Sequence, residues 1–449
     1  MEIIVVLILS LGLRLIGINQ SLWLDEAISA NVAQMPFWEI IKNFSINDFH
    51  PPLYYLFLNF WTNIFGNNVI VLRLSSVLFS LITIYFVYLI GKKIKNKKIG
   101  IWTALILAVN PLFVYYSQEL RMYSMATMWL IIGFYYFIKI KNKEYKIKDL
   151  IILNLMMALA FGTFYGSIFL IATFAIYLLI KKEFKLFWLT NIGVVIAIIV
   201  LTPLLLIQIK NSKIMLAQVT NWMLVLGKVN LKNLLLIPLK FSIGKISFLP
   251  KTLYYLVGGS WSLIIFGLIL KNKKENNWLK IFLTVPIILA ILFSIKSPLL
   301  QYFRFLFLVP IMALILAINA NKFWQKILVV GGFLIFSLAY LLNPNYYRED
   351  WKGVVKKISD GRSQILDKTV YMIGSFGDPV KYYRPDIQIS DIRSPIEGRQ
   401  IWVIPYGEAI HGINSEEILK KLGYKKTSEE NFREIKLENW QIGYTNFSN

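Results

Sequence analysis

The chain has 449 residues, 57% of them hydrophobic and 16% charged, with a mean hydropathy of +0.58 and a net charge of +23. A soluble protein carries about 25% charged residues, whereas here the apolar residues come in runs of roughly 17–22, long enough to cross a bilayer core. That composition excludes an ordinary soluble globule, and the lack of cysteine excludes disulfides, thiolate catalysis and Cys-ligated zinc. The charge is uneven: residues 1–342 hold 32 basic residues against ten acids, and residues 343–449 hold 16 against 15. The Lys clusters sit between apolar runs, the placement of topology signals and anionic-lipid contacts rather than of a nucleic-acid interface.

Residues 1–18 match a secretion signal only loosely. Glu2 stands where a basic segment would be, and no small-residue cleavage site follows. They read as a retained first span. Eleven spans are predicted, at about 3–18, 71–91, 99–116, 120–140, 149–163, 166–181, 186–208, 252–270, 278–295, 299–318 and 325–342. With eleven spans, the Lys-rich stretches at 92–98, 139–148, 181–185, 271–280 and 322–326 share one side, which the positive-inside rule makes cytoplasmic. A span at 51–65 would carry the Lys92–Lys98 loop outside. That segment, with its Trp and Tyr and with Pro51 and Pro52 at its start, is therefore expected to lie on the outer surface as an interfacial helix. The outer loop 209–251 carries seven Lys and no acid, and its residues 233–243 either dip into the interface or form a twelfth span.

After Leu342 the composition turns mixed and polar. Val370–Ile373, Ile387–Ser390 and Ile401–Ile404 read as short strands. Trp351–Ser359 and Ser415–Leu422 read as helices, the second capped by Ser415 and closed by Gly423. The expected fold is a polytopic α-helical membrane protein over 1–342, with about eleven transmembrane helices and outer-face interfacial helices. A small C-terminal α/β extracytoplasmic domain follows over 343–449. The expected location is a prokaryotic plasma membrane.

The polar residues of the membrane part concentrate on the outer face. Its only arginines, Arg14, Arg73, Arg121 and Arg304, all fall near outer ends of spans, although Lys is seven times as frequent there. Arginine suits forked contact with phosphate. Taken singly, each is also explained by snorkelling to the interface. Asp25, Glu26, Glu39, Asp48 and Glu119 are assigned to the same face, as is His50, one of two histidines. A carboxylate at a lipid boundary is costly unless it has a task. Asp25 and Glu26 are adjacent, so they point apart: one is free to face a reaction while the other orients or caps. The competing structural reading makes Asp25 the N-cap of a short helix starting at Glu26. Asp48 and His50 lack the further ligands of a metal site, so no metal and no cofactor is expected. Glu119 and Arg121 either pair with each other or hold a polar ligand.

Leu24-Asp25-Glu26, His50-Pro51-Pro52-Leu53-Tyr54, Arg73-Leu74-Ser75 and Ser117-Gln118-Glu119-Leu120-Arg121-Met122-Tyr123 together resemble motifs of the polyprenol-phosphate-dependent glycosyltransferases of the GT-C type. Tyr302-Phe303-Arg304 and Arg348-Glu349-Asp350-Trp351 share the likeness, and protein O-mannosyltransferases and aminoarabinose transferases are the nearest kinds. The match covers the first 130 residues well and the remainder in outline. The resemblance implies a sugar donor carried on a polyprenyl phosphate, an outer-face active site and an inverting transfer with Asp25 as catalytic base. It leaves the acceptor open among glycan, lipid and protein. Tyr54-Tyr55 stands where the protein mannosyltransferases have Gly-Lys. The candidate catalytic residues are Asp25 and Glu26. The candidate substrate-binding residues are His50, Arg73, Glu119, Arg121, Tyr123, Tyr302 and Arg304. Beyond donor and acceptor, membrane lipids are the expected partners and nucleic acid is not. The rival readings are a transporter or flippase of a polyprenyl-linked glycan, and an oligosaccharide transferase or polymer ligase on the same scaffold. Alternating-access proteins usually carry paired repeats and broken helices, and neither is visible in this sequence.

Overall fold

The structure is a computed structural model that describes residues 1–219, 221–271, 277–361 and 369–442. They form two compact units. The first holds Met1–Ile18, Pro36–Ser212 and Leu226–Tyr346, and the second holds Asn19–Met35, Lys213–Val225 and Tyr347–Asn449.

The first unit is helical. Among the described residues seven helices are long and apolar enough to cross a membrane: Val69–Ile94, Tyr123–Lys141, Phe184–Gln218, Lys251–Leu270, Asn277–Ser294, Tyr302–Asn319 and Phe323–Leu342. The helices Lys97–Ala108 and Pro111–Ser117 are apolar enough together but bent by 66°, the form of a broken span or of a re-entrant loop. The three remaining predicted spans are also helices, Glu2–Leu15, Ile147–Thr163 and Ile168–Ile180, of 14, 17 and 13 residues. At 1.5 Å per residue they reach about 20–26 Å, short of a hydrocarbon core of about 30 Å. The count of eleven therefore rests on the loop charges rather than on helix length alone.

The segment expected as an interfacial helix and the one left open between an interfacial dip and a span are both short helices. Leu53–Phe65 has 13 residues, with Tyr54, Tyr55, Leu58 and Asn59 buried and Phe60, Ile64 and Phe65 exposed. Leu231–Ile243 also has 13 residues and contains Pro238. At about 20 Å it is as short as the helix Ile168–Ile180, and a span there would carry the Lys loops that follow to the other side.

The bend between these two helices has a local cause. Asn110 caps the helix that begins at Pro111, accepting the Phe113 amide hydrogen at 3.0 Å. Its side-chain amide donates to the Phe241 carbonyl at 3.0 Å, and Ser337 Oγ donates to the Val109 carbonyl at 2.8 Å. The broken backbone is thus satisfied by neighbouring helices, as burial in an apolar medium requires. Nearby, Gly91 and Gly100 let two helices touch: a Cβ on Gly100 would lie 2.5 Å from the Tyr88 carbonyl oxygen.

Arg14 corrects the snorkelling expectation. It is wholly buried. Its Nε donates to Ser80 Oγ at 2.9 Å, and one terminal nitrogen donates to Ser10 Oγ at 2.6 Å and to the Ala108 carbonyl at 3.1 Å. It ties the first helix to two others instead of reaching for the interface.

The second unit is an α/β fold around a five-stranded sheet. The strands are β1 (Thr369–Met372), β2 (Gln388–Asp391), β3 (Gln400–Val403), β4 (Tyr424–Phe432) and β5 (Ile435–Ile442), in the order β2-β1-β3-β5-β4. β1 pairs in parallel with β2 and β3, whereas β5 runs antiparallel to β3 and β4. Alternation along the strands fills two cores. Val370, Met372 and Trp402 pack on one side with Trp351, Val354 and Val355 of the helix Trp351–Gly361. Tyr371, Ile401 and Val403 pack on the other with Leu419 of the helix Ser415–Lys421. The three predicted strands are present within a residue or two, while β4 and β5 were not anticipated. The second helix is capped by Asn414, whose Oδ1 accepts the Glu417 amide hydrogen at 3.1 Å, and not by Ser415.

Candidate active site

In the first unit a short π-helical turn, Ile40–Phe44, and the start of the helix Leu53–Phe65 enclose the loop that carries Asp48 and His50. His50 Nδ1 lies 3.3 Å from both carboxylate oxygens of Asp48. Burial disfavours the Asp48 anion. The His50 ring and its hydrogen bond, together with the Arg121 guanidinium, outweigh that and hold the carboxyl below its usual range. Gln208 fixes the loop from behind: its amide donates to the Ser45 carbonyl at 2.7 Å and the His50 carbonyl at 3.0 Å, and its oxygen accepts from the Tyr165 hydroxyl at 2.8 Å. Asn211 adds a bond to the Ile46 carbonyl at 2.8 Å.

Arg121 stands in the turn Ser117–Met122, and that turn is tied down residue by residue. Gln118 donates to the Arg14 and Ile16 carbonyls at 2.9 and 2.7 Å. Ser76 Oγ donates to the Glu119 carbonyl at 2.6 Å, and Ser124 Oγ to the Tyr116 carbonyl at 2.9 Å. Glu119 and Arg121 are buried. Arg73 is buried too and donates to the Ile18 carbonyl at 2.9 Å.

Beyond the turn lies an aromatic group. Tyr123 packs against Tyr116, Phe164 and Phe303 with ring centroids 5.7, 5.6 and 5.4 Å away, and Tyr302 lies 5.5 Å from Phe303. The Arg304 guanidinium sits 5.9 Å from the Phe303 ring and donates to the Leu226 carbonyl at 3.1 Å. Tyr116 is within electrostatic range of Tyr302, Glu119 and Tyr123. The loop 209–251 contributes Lys240, which is buried and donates to the Ile246 carbonyl at 2.9 Å. Burial, reinforced by Lys245 and Lys251, lowers its ammonium from 10.5 to about 7.

The second unit contains the first-loop acids. The helix Leu24–Val32 starts one residue before Asp25 and is preceded by Trp23, so Asp25 is not its N-cap. Glu26 is fully buried, accepts the Trp23 amide hydrogen at 3.4 Å and pairs with Arg348 at 3.4 Å. Asp25 is half-exposed.

The sequence-predicted site residues therefore divide. His50, Glu119, Arg121, Tyr123, Tyr302 and Arg304 gather in two groups linked through the 117–123 turn of the first unit. Arg73 serves the Ile18 carbonyl in the same unit. Asp25 and Glu26 belong to the second unit. The sequence reading gave no site role to Asp48, Tyr165, Gln208 or Lys240. Gln208, a lone amide closing an apolar run, carried a usable signal, while the burial of Lys240 carried none. Among the described residues no group of three or more His, Cys, Asp or Glu is placed to hold a metal ion. Chemically, the first unit offers fixed cations and aromatic faces suited to an anionic, sugar-bearing ligand. The second offers one accessible carboxylate beside one that is locked.

Residues 49–207 match the family model described as dolichyl-phosphate-mannose-protein mannosyltransferase. A segment of 145 residues is 30% identical to the undecaprenyl phosphate-alpha-4-amino-4-deoxy-L-arabinose arabinosyl transferase of Wigglesworthia glossinidia brevipalpis. It covers 30% of this chain, which thus spans a quarter (25%) of that relative's length. Among solved structures the fold is similar to ArnT from Cupriavidus metallidurans in its apo state (TM-score 0.61, 9% identity, 98% of this chain and 97% of that one). The same holds for ArnT bound to undecaprenyl phosphate (TM-score 0.61, 10% identity, the same shares covered). The oligosaccharyltransferase of Archaeoglobus fulgidus is also similar (TM-score 0.54, 13% identity, 88% of this chain and 62% of that one). At these identities the structural likeness speaks of fold.

Proposed function

We propose that this chain, a member of the GT-C glycosyltransferase superfamily, moves a sugar from a polyprenyl-phosphate donor to an acceptor hydroxyl at the outer face of the membrane, with inversion. The observation that carries the reading is the cluster of the half-buried Asp48 and His50 with the buried Arg121, whose His50 and Arg121 lie inside the segment that matches the mannosyltransferase family. A buried guanidinium beside a carboxylate in a membrane protein is costly and calls for a ligand or a mechanistic task.

In a single displacement the acceptor oxygen attacks the anomeric carbon as its proton leaves, and the bond from that carbon to the phosphate oxygen breaks. The leaving phosphate gains negative charge, which fixed guanidinium groups stabilise without reorganisation. Arg121 and Arg304 take that role, with Tyr123 and Tyr302 as the apolar and hydroxyl wall for the sugar. His50, held by Asp48, binds beside them, and Glu119 anchors the turn that carries Arg121. Arg73 contributes through the Ile18 carbonyl it holds. Asp25 is the base. Its half-exposure leaves it reachable by a hydroxyl, whereas Glu26 is spent on Arg348 and serves to orient.

The test is a reaction of the purified protein with a panel of sugar-linked polyprenyl phosphates, measuring free polyprenyl phosphate and the anomeric configuration of the product. Release of the lipid phosphate with inverted product is expected. Movement of labelled lipid across proteoliposomes with no bond cleavage, for every donor, would instead establish transport.

A further inference from the structure

Residues 19–35, which begin the first loop, fold as part of the α/β unit. Gln20 Oε1 accepts the Arg348 amide hydrogen at 3.1 Å, and Ser21 Oγ accepts that of Lys352 at 3.1 Å. The Leu22 amide donates to the Tyr383 hydroxyl at 2.8 Å, and Asn31 Nδ2 donates to Asp378 Oδ1 at 2.8 Å. Two adjacent residues do more. Arg348 pairs with Glu26, and Glu349 accepts the Leu24 amide hydrogen. Glu349 is itself fixed: Tyr406 Oη donates to its Oε1 at 2.6 Å and Trp351 Nε1 to its Oε2 at 2.7 Å. Trp351 is fully buried in the core against the sheet. Tyr406 lies within electrostatic range of Asp25.

The first amides of a helix have no partner within it. Here the amide of Leu24 finds a carboxylate from the far end of the chain, and Glu26 finds a guanidinium from the next residue along. The residues on both sides of Asp25 are thereby pinned to one rigid sheet-and-helix core. Asp25 itself stays half-exposed.

We propose that Arg348 and Glu349 are positioning residues that clamp Leu24 and Glu26 and so fix the Asp25 carboxylate against the acceptor hydroxyl. This rests on the reading of Asp25 as the base. It gives the C-terminal α/β unit a part in the chemical step. A misplacement of about 1 Å in a reacting group costs about 10²-fold in rate, so a clamp of this kind shows in kcat more than in donor KM.

The test is a cycle of Asp25→Asn, Glu349→Ala and the double variant in the full-length protein, with kcat and KM measured for a sugar-linked polyprenyl phosphate. Glu349→Gln, which keeps one acceptor oxygen, accompanies them, and amide exchange at Leu24–Ala27 is followed in each. Glu349→Ala is expected to lower kcat about 10²-fold, to leave donor KM within about twofold and to speed exchange at Leu24. Glu349→Gln falls between it and the wild type. The double variant is expected to be no slower than Asp25→Asn, because residues that act as a unit are not additive. Wild-type kcat or unchanged exchange in Glu349→Ala, or losses that multiply in the double variant, would overturn the clamp. Should Glu349→Ala fail to fold, Glu349→Gln in the same cycle decides. If Asp25→Asn keeps full turnover, the base reading itself has failed. If Asp25→Asn is slow and Glu349→Ala silent, the clamp alone has failed.

Discussion

Arg348 Nε lies 3.4 Å from Glu26 Oε2, and neither side chain reaches solvent. Removing one partner of a buried ion pair leaves the other charge uncompensated, at a cost of about 3–5 kcal/mol. Glu26→Gln is therefore expected to lose stability of that order in chemical denaturation. Its neighbour behaves in the opposite way: Asp25→Asn is nearly isosteric and half-exposed, so it should keep its stability while turnover falls by about 10²–10⁴. A Glu26→Gln protein as stable as the wild type would show that the pair contributes little.

The arginines differ in what holds them. Arg121→Ala and Arg304→Ala are expected to lose about 2.7–4 kcal/mol of transition-state stabilisation, read as kcat/KM. Lysine at either position should restore only part, since a point charge does not reproduce the fork. Arg73→Ala should also lower the melting temperature, because Arg73 satisfies the Ile18 carbonyl in a buried setting. Lys97→Ala, an exposed residue 3.3 Å from Glu2, serves as the comparison and should keep wild-type kinetics. Unchanged kinetics in both Arg121→Ala and Arg304→Ala would remove the phosphate site from this face.

Lys240 makes stability depend on pH. Burial lowers its pKa from 10.5 to about 7 in the folded protein. Between these values the unfolded chain binds more protons than the folded one, so stability rises with pH through this window and is lost as pH falls toward 7. Lys240→Met removes the term. The melting temperature of the wild type relative to Lys240→Met should climb from pH 7 to about pH 10. A constant difference would mean that Lys240 stays charged.

Topology can be read with single cysteines, because the chain has none of its own. Lys95→Cys and Lys421→Cys place thiols at exposed positions. With the Lys loops cytoplasmic and the α/β unit outside, an impermeant reagent added to whole cells should label only Lys421→Cys. Labelling of both from one side would contradict eleven spans.

Several features were readable locally. Val370, Ile389 and Trp402 announce their strands through β-branched and aromatic residues between turn signals. The hairpin β4–β5 escaped notice because β4, Tyr-Lys-Lys-Thr-Ser-Glu-Glu-Asn-Phe, is an edge strand whose charges protect it from mispairing. Its turn also uses Arg433 and Glu434, with Glu434 at a φ of 61°, in place of the Asn-Gly or Asp-Gly that marks such turns.

By itself the sequence determined the membrane class, the approximate positions of the apolar helices and the presence of an α/β segment. Hydropathy, charge balance and strand alternation are properties of neighbouring residues, so they can be read along the chain. Only the tertiary structure decided that Arg14 turns inward, that Glu26 is locked while Asp25 stays accessible, and that residues 19–35 fold with the segment after Tyr346. Each depends on a partner distant in sequence, Ser80, Arg348 or Glu349. Whether a charge is buried at a tolerable cost is settled by that partner and not by its own neighbours.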